Sequence, residues 1–330
     1  MKKVIVVALA LVMATVAIAS VTASGQQEGK MVMGISIDNA FPSRISTVMG
    51  IISEAESMGY EVVKYNANGD AQKQNADVEN LINEGVSAIL VCAVDMDTIE
   101  VALMKAKAAG IPVVSYDRDL PESESIDCSV GPDSYSDGLY CGKHFAQELK
   151  DKGDVTVLEL LGALNDQNGI ERSRGFNDGL KSASNVTIIQ APTGAWQLDI
   201  ALQAVQDAYQ ADPDIAGVFA PACFFVAGIE TVLSDLGKLH KVGEPGHVVV
   251  AGINGEKGAC DSVIAGTCDG VVVMGTTATG VTAAQFADKL IRGESVKRDY
   301  YLVPGDFYTT AEEIEANKAN IWGYAELSLD

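Results

Sequence analysis

Residues 88–118 read AILVCAVDMDTIEVALMKAKAAGIPVVSYDR and contain three successive patterns. Residues 88–94 form an apolar run with the length and composition of a buried strand, residues 98–109 have helical length, and residues 111–116 form a second apolar run. Gly110 stands where a helix end needs left-handed backbone. A strand, a helix and a strand in this order predict two parallel strands joined by a helical crossover.

The same rhythm extends in both directions from this stretch. Strands are predicted at residues 31–37, 61–65, 155–161, 186–190, 217–220, 248–252 and 270–274. Helices are predicted at residues 70–84, 170–183, 198–211, 225–236 and 257–266, the first behind the N-cap candidate Asp70. About ten strands are too many for one comfortable open sheet in a chain of 330 residues. The pattern therefore predicts an α/β protein with two doubly wound parallel-sheet lobes.

Charge and the first residues restrict the location and the partners. With 45 Asp and Glu against 23 Lys and Arg, the net charge of −22 argues against nucleic acid or an anionic membrane as a partner. Lys2 and Lys3 precede an apolar run at residues 4–19, and small residues follow at 21–23. The run is shorter than the ~20 residues of a membrane span, so residues 1–23 are predicted to be a secretory signal, with a membrane anchor as the alternative.

The cysteines and histidines give no support to a metal site. The six cysteines lack C-x-x-C spacing, and the three histidines lack metal-ligand spacing. In an exported protein disulfides become possible. Cys260 and Cys268 are the best candidate pair, and two free buried thiols are an equally good interpretation. Cys128 and Cys141 form a weaker candidate pair.

Motifs for cofactor or nucleophilic chemistry are also missing from the sequence. Residues 36–44, after the first strand, contain neither G-x-G-x-x-G nor G-K-[ST], and the chain has no G-x-S-x-G elbow. No cofactor is expected, and an enzyme is not the favoured class. An exported α/β enzyme that uses the same cleft remains the alternative.

The predicted strand ends carry polar residues. Ligands of open α/β sheets bind outside the carboxyl ends of the strands, where this chain has Asp38, Asn39, Asp95, Asp117, Arg118, residues 165–168, Cys223 and Asn254. Carboxylates and guanidinium groups make charge-assisted bonds to hydroxyls. The ring of polar groups therefore predicts a small polyhydroxylated ligand.

At this point the chain resembles the periplasmic sugar-binding proteins of the ribose- and galactose-binding type, which are substrate receptors of ABC importers. The resemblance covers residues 31 to about 322. Its carriers are MGISI at 33–37 with Phe41 in the next loop, AILV at 88–91, IPVVSYDR at 111–118, VGPD at 130–133, RSRGF at 172–176 and GVFA at 217–220.

The resemblance implies a type I periplasmic-binding-protein fold, in which two lobes joined by a three-stranded hinge close on a sugar. The first lobe would comprise residues 31–131 and 276–302, and the second residues 132–275 and 303–330. The crossings would lie near residues 131–133, 275–277 and 303–305. The implied partners are a sugar or polyol, the importer's membrane subunits and a chemoreceptor, in the periplasm.

The resemblance also implies the ligand-binding residues. Asp117 and Arg118 match the family's sugar-hydroxyl pair, Arg172 its second-lobe arginine and Trp196 its stacking aromatic, with Phe41 as the facing ring. Ala222, Asn254 and Met274 replace the family's usual Asn, Asp and Gln or Asn, so neither ribose nor galactose is implied. Asp166 completes the candidate set. Together with Gln167, Asp117 and residues 221–222 it is similar to the site of autoinducer-2 receptors, the alternative within the binding class.

The residues themselves favour some of these roles. Arg172 shares a helix face with Phe176 and Leu180, which predicts that it points toward the strand ends, whereas Arg174 lies off that face and should be solvated. Trp196 stands in a loop rather than on a helical face, which favours a ligand contact over a core position. Asp95 is predicted to be a structural cap, the common role of an Asp at a strand end.

Overall fold

The computed structural model describes residues 31–329, and the predicted signal at residues 1–23 lies outside this range. The strands are β1 Val32–Ile37, β2 Glu61–Asn66, β3 Ala88–Val91, β4 Val113–Tyr116, β5 Cys128–Pro132, β6 Val155–Leu161, β7 Val186–Pro192, β8 Gly217–Ala220, β9 Val249–Asn254, β10 Gly270–Val273, β11 Tyr300–Val303 and β12 Asp306–Tyr308. The α-helices are α1 Pro42–Ser57, α2 Ala71–Glu84, α3 Glu100–Ala108, α4 Ser134–Leu149, α5 Gln167–Leu180, α6 Leu198–Ala211, α7 Val226–Asp235, α8 Lys257–Ala265, α9 Thr276–Ile291 and α10 Ala311–Asn317.

The strands form two six-stranded sheets, each of which is the centre of one lobe. The first lobe has the strand order β11-β5-β4-β3-β1-β2, and the second has the order β12-β10-β9-β8-β6-β7. The first sheet is parallel throughout. In the second sheet β12 pairs antiparallel with β10, which departs from the predicted all-parallel arrangement. The two orders repeat one topology, and the predicted fold class is confirmed.

The chain passes between the two sheets three times. It leaves the first sheet after β5 and enters α4 of the second lobe, returns after β10 into α9, and crosses last between β11 and β12. The first and third crossings are tied by a hydrogen bond from the Asp133 N–H to the Val303 carbonyl. Short crossings between two lobes are the connection on which hinge motions of domains are built.

Each lobe has apolar side chains buried on both faces of its sheet. In the first lobe these faces are packed around Met33 and Ile35 on one side and around Leu81 and Ile89 on the other. In the second lobe one face contains Phe176, whose ring stacks on Phe219 at 4.1 Å. Full burial of side chains of this size contributes about 1.5–3 kcal/mol each, so each lobe has a core of its own.

Each lobe also contains one pair of helices in unusually close contact. In the first lobe α1 packs on α9, and a Cβ added at Gly280 would lie 2.0 Å from the Thr47 carbonyl oxygen. In the second lobe α4 packs on α5, and a Cβ added at Gly142 would lie 2.1 Å from the Phe176 carbonyl oxygen. Glycine is therefore required at both contacts, because the helix backbones touch.

Two local predictions need correction. Helix α5 begins at Gln167 rather than at residue 170, because the Asp166 side chain accepts a hydrogen bond from the Asn168 N–H at 2.9 Å and caps the helix earlier. All six cysteines are free and buried, so the free-thiol interpretation is correct and neither candidate disulfide is present. Cys260 and Cys268 both belong to one apolar cluster of the second lobe, whereas Cys128 and Cys141 lie in the cores of different lobes.

Burial also makes these thiols unreactive. It raises the pKa of Cys260 to about 12 and the pKa of Cys268 well above its usual value. Within residues 31–329, every helix is too short or too polar to cross a membrane.

Candidate ligand-binding site

A cavity of about 280 Å³ lies at the carboxyl ends of the strands, and both lobes contribute to its wall. All nine candidate residues from the sequence line it: Phe41, Asp117, Arg118, Asp166, Arg172, Trp196, Ala222, Asn254 and Met274. Six further residues complete the wall: Pro42, Ser43, Arg44, Asn168, Phe224 and Glu256. The volume is near the lower end for small-molecule sites, and it suits a single small molecule.

Arg44 organises the wall of the first lobe. It lies in the first turn of α1, is 5% exposed, and donates from Nε to Asp38 at 2.6 Å and from Nη2 to Asp117 at 2.7 Å. Its guanidinium group also lies 5.6 Å from the centre of the Tyr116 ring. One buried arginine thus neutralises two carboxylates that follow different strands, which fixes both before any ligand arrives.

Arg118 extends this network. Its Nη1 donates to Asp38 at 2.9 Å and to the Ala93 carbonyl at 2.6 Å, and its Nη2 lies 3.6 Å from Asp166 of the second lobe. The network therefore runs from one lobe to the other along a chain of alternating charges.

Asp117 has a conformation that most residues avoid. Its φ is +66°, in the left-handed region. Burial alone would raise the pKa of Asp117, but the adjacent Arg44 guanidinium outweighs burial, and the pKa of Asp117 lies below its ordinary value. Asp117 therefore presents an ionised carboxylate to the cavity from a strained backbone conformation, and strained residues are common at functional sites.

Arg172 is the charged group of the second-lobe wall. It lies on α5, is 4% exposed, and donates from Nη1 to the Pro221 carbonyl at 2.7 Å. Its Nη2 contacts the Met274 sulfur at 2.9 Å, and its Nε is buried without a hydrogen-bond partner. An unpartnered buried donor is costly, so a ligand acceptor would stabilise this side of the cavity. Arg174, by contrast, is exposed, as predicted; it also pairs with Glu171.

Trp196 is held in place by a strained loop between β7 and α6. Gly194, Ala195 and Trp196 have φ values of +59°, +62° and +68°. The indole packs so closely over Gly162 that a Cβ there would lie 2.3 Å from the ring, and its Nε1 donates to Asp166 at 3.3 Å. The guanidinium of Arg172 lies 5.8 Å from the indole centre. These contacts give the ring a fixed position.

The remaining wall of the second lobe is largely apolar. Ala222 and Met274 are buried, and Phe224 is 40% exposed. Beside them, Glu256 accepts a hydrogen bond from Asn254 at 3.1 Å through Oε1, while its Oε2 is buried without a partner. Burial raises the pKa of Glu256 to about 7. Asn254 is also in a left-handed conformation, with φ +130°.

Two contacts connect the lobes across the cavity. The Asn168 side-chain amide donates to the Asp117 backbone carbonyl at 3.3 Å and lies 3.4 Å from its carboxylate. Arg118 and Asp166 form the second contact. Because each contact joins the two lobes, both would break when the lobes separate.

Other predicted residues lie at the margin. Phe41 is the N-cap residue of α1, is 55% exposed and lies at the rim of the cavity. Asp95 accepts a hydrogen bond from the Thr98 N–H at 2.8 Å, so the predicted structural cap is present.

Sequence reasoning missed Arg44 and Glu256. Pro42 is at the first position of α1, and proline there is a helix-start signal that the sequence already shows. The signal places Arg44 in the first turn of a helix that directly follows β1, and therefore near the carboxyl end of that strand. Glu256 lies two residues after Asn254, and the Gly255 between them marked a turn that would keep the carboxylate near the site.

The arrangement combines fixed charged groups with apolar surface. Ionised carboxylates accept and guanidinium groups donate hydrogen bonds, which suits hydroxyl groups, whereas the indole and the methionine offer contact to carbon-bound hydrogens. Such a site can recognise a small molecule that is polar at its edges and apolar on its faces.

Comparisons with known proteins identify the family. The model of the periplasmic binding protein domain matches residues 31–295, and the chain belongs to this family. The ribose import binding protein of Bacillus subtilis is 28% identical over 257 residues, with 78% of this chain and 80% of the relative covered. The xylitol-binding protein of Mycolicibacterium smegmatis is also 28% identical over 257 residues, covering 77% and 71%.

A solved structure agrees with this assignment. An ABC transporter solute-binding protein from Mycobacterium smegmatis with bound glycerol is 27% identical and covers 92% of this chain and 100% of its own, with a TM-score of 0.78. The type I periplasmic-binding-protein fold and the resemblance to sugar-binding proteins of ABC importers are therefore confirmed. These relatives are named for solute binding, which points away from an enzyme.

Proposed function

We propose that this protein is an exported solute-binding protein that captures one monosaccharide or related polyol between its lobes and delivers it to the membrane subunits of an ABC importer. The nine residues Phe41, Asp117, Arg118, Asp166, Arg172, Trp196, Ala222, Asn254 and Met274 are proposed to contact the ligand. The periplasm is its proposed location, and a chemoreceptor is a further proposed partner.

The observation that carries this proposal is the cavity wall. Fixed carboxylates and guanidinium groups on the first lobe face an indole and apolar side chains on the second. The related proteins named for ribose, xylitol and D-apiose support a sugar or polyol ligand.

Delivery requires that the importer distinguish loaded from empty protein. We propose that the first lobe, residues 31–131 with 276–302, and the second lobe, residues 132–275 with 303–330, open and close about the three crossings. Ligand would favour the closed form because only that form contacts it from both sides.

The decisive experiment is mass spectrometry of the small molecule released when the purified protein is denatured. A monosaccharide or polyol is expected, and calorimetry with that compound should give saturable binding near the micromolar range, which corresponds to about 8 kcal/mol. Release of a nucleotide, a peptide or an amino acid as the bound species would refute the proposal.

Small-angle scattering tests the closure. Adding the identified ligand should reduce the radius of gyration of the protein. An unchanged radius with a ligand that calorimetry shows to bind would exclude the hinge model while leaving the ligand assignment intact.

A further inference from the structure

A second cavity adjoins the first and is not used by the proposed monosaccharide site. It has a volume of about 260 Å³ and is lined by residues 93–97 and Arg118 of the first lobe and by Ala163, residues 165–167 and Trp196 of the second. We call it the outer groove, because Asp95, Asp97, Asn165 and Gln167 in its wall are exposed. Its size is almost that of the first cavity.

Three residues separate the two cavities. Arg118, Asp166 and Trp196 line both of them, so the partition is one layer of side chains thick. The partition spans the lobes, since Arg118 comes from the first and the other two come from the second. Its central contact is the 3.6 Å approach of Arg118 to Asp166, which is longer than a normal hydrogen bond.

We propose that the outer groove is a second subsite, so that the protein also accepts a two-unit ligand such as a disaccharide: the first unit occupies the inner cavity as a free monosaccharide does, and the second unit lies in the outer groove. This inference rests on the proposed function. The linkage between the units would cross this partition, so Arg118 and Asp166, already too far apart for a normal hydrogen bond, would have to separate further. A ligand hydroxyl next to the linkage would then accept from Arg118 and donate to Asp166.

The wall of the groove indicates the chemistry of that second unit. Asn165 and Gln167 provide amide donors and acceptors, and Met96 with the edge of Trp196 provides apolar surface. Three carboxylates, those of Asp95, Asp97 and Asp166, face one guanidinium. A hydrogen bond from Thr98 lowers the pKa of Asp95, so this carboxylate stays ionised. The field is therefore negative, which disfavours a phosphate or uronate and favours a neutral polyhydroxylated unit.

Calorimetry with two series of probes tests the inference. The monosaccharide series contains D-ribose, D-xylose and D-galactose, and the disaccharide series contains xylobiose and melibiose. We expect a disaccharide to bind at least tenfold more tightly than its component monosaccharide. The double variant Asn165→Ala/Gln167→Ala should weaken disaccharide binding about ten- to thirtyfold through loss of two hydrogen-bonding groups. Binding of the monosaccharide should change less than twofold.

Leu164→Ala is the matched control, because Leu164 is 69% exposed on the same loop and lines neither cavity. It should leave both affinities unchanged. If monosaccharides bind and both disaccharides are rejected, or if the double variant binds a disaccharide as well as the parent does, the second subsite is refuted and the proposed function stands. If every sugar of both series fails to bind, the compound released on denaturation decides: a two-unit sugar supports the second subsite, a monosaccharide or polyol refutes the subsite and leaves the proposed function standing, and any other class of compound refutes both.

Discussion

The two lobes share one topology but differ in the chemistry of the walls they present to the cavity. In the first lobe, Arg44 and Arg118 neutralise Asp38 and Asp117 in a network that is complete without a ligand. In the second lobe, Arg172 Nε and Glu256 Oε2 are buried without partners. The first wall is thus preorganised and the second is incomplete, so the ligand contributes more to the stability of the second.

The largest expected effect is on the stability of the first wall. Arg44→Ala leaves Asp38 and Asp117 buried without their shared partner, and removal of one member of a buried ion pair typically costs about 3–5 kcal/mol. Urea unfolding of the ligand-free protein should show this loss in the free energy of unfolding.

Two other arginines provide the comparison. Arg172→Ala should be less destabilising than Arg44→Ala, because Arg172 donates to a carbonyl and to sulfur rather than to a carboxylate. Arg174→Ala is the exposed control and should change the free energy of unfolding by less than about 0.5 kcal/mol. Equal losses for Arg44→Ala and Arg172→Ala would show that the two walls do not differ as described.

The second prediction concerns affinity. Arg172→Ala should weaken binding of the co-purified ligand by about 30–150-fold, because a charged hydrogen-bond partner contributes roughly 2–3 kcal/mol. Asp117→Ala and Trp196→Ala should cause losses of at least this size. Calorimetry provides the measurement, and Arg174→Ala should bind normally. If Arg172→Ala and Arg174→Ala bind equally well, Arg172 has no role in the site.

The third prediction is that the two walls respond oppositely to pH. Burial raises the pKa of Glu256 to about 7, so the unfolded chain loses this proton first and the free energy of unfolding falls as the pH rises from about 4.5 to about 7. Glu256→Gln should remove up to about 3–4 kcal/mol of this fall, at 1.36 kcal/mol for each of the roughly 2.5 pKa units between the unfolded and folded values.

Asp117 in the first wall supplies the opposite case. Because its pKa is lowered, its stabilisation is present above the unfolded value of about 3.9 and is lost as the pH falls through the folded pKa. Asp117→Asn should therefore alter the acid limb of the stability profile, and Glu256→Gln the limb from pH 4.5 to 7. Identical profiles for the two variants in urea titrations would contradict this difference.

The smallest predicted effect concerns a contact that occurs in both lobes, in which an aspartate side chain accepts a hydrogen bond from the backbone N–H of a neighbouring strand. Asp127 accepts a hydrogen bond from the Val113 N–H, and Asp269 accepts one from the Val250 N–H. In the second lobe His247 adds a contact to Asp269 at 2.9 Å. Burial alone would lower the pKa of His247, but the Asp269 hydrogen bond outweighs it and the pKa is raised.

The stabilisation from His247 is therefore complete below the unfolded value of about 6.5 and is lost as the pH rises through the folded pKa. His247→Gln should cost about 1 kcal/mol at pH 5.5 and less at pH 9, as measured by urea unfolding. A loss that does not change with pH would show that the imidazole contributes only by packing.

Strand–helix alternation was sufficient to predict two parallel-sheet lobes, because periodicity shows which segments form strands and which form helices. It did not predict the antiparallel pairing of β12 with β10, which depends on where the last chain crossing returns. The rule that ligands bind at the carboxyl ends of strands, together with the family resemblance, predicted nine residues dispersed along the chain, and all nine line one cavity. Arg44 was missed because its role depends on the approach of Asp38 and Asp117 from separate strands, which no local pattern records. The sequence could not decide between a Cys260–Cys268 disulfide and two free thiols, because nearness in sequence does not determine whether two thiols face each other; the thiols are free.

The two helix pairs with touching backbones connect the crossings between the lobes to the cavity. Helix α4 begins directly after the first crossing and lies against α5, which carries Arg172; α9 begins directly after the second and lies against α1, which carries Arg44. At the glycine contacts no side chains lie between the two helix backbones, so the helices of each pair cannot shift easily against each other. Each pair is therefore a rigid unit that begins at one crossing. If the lobes rotate about the crossings as proposed, each helix pair would move as one body and would displace its guanidinium group at the cavity.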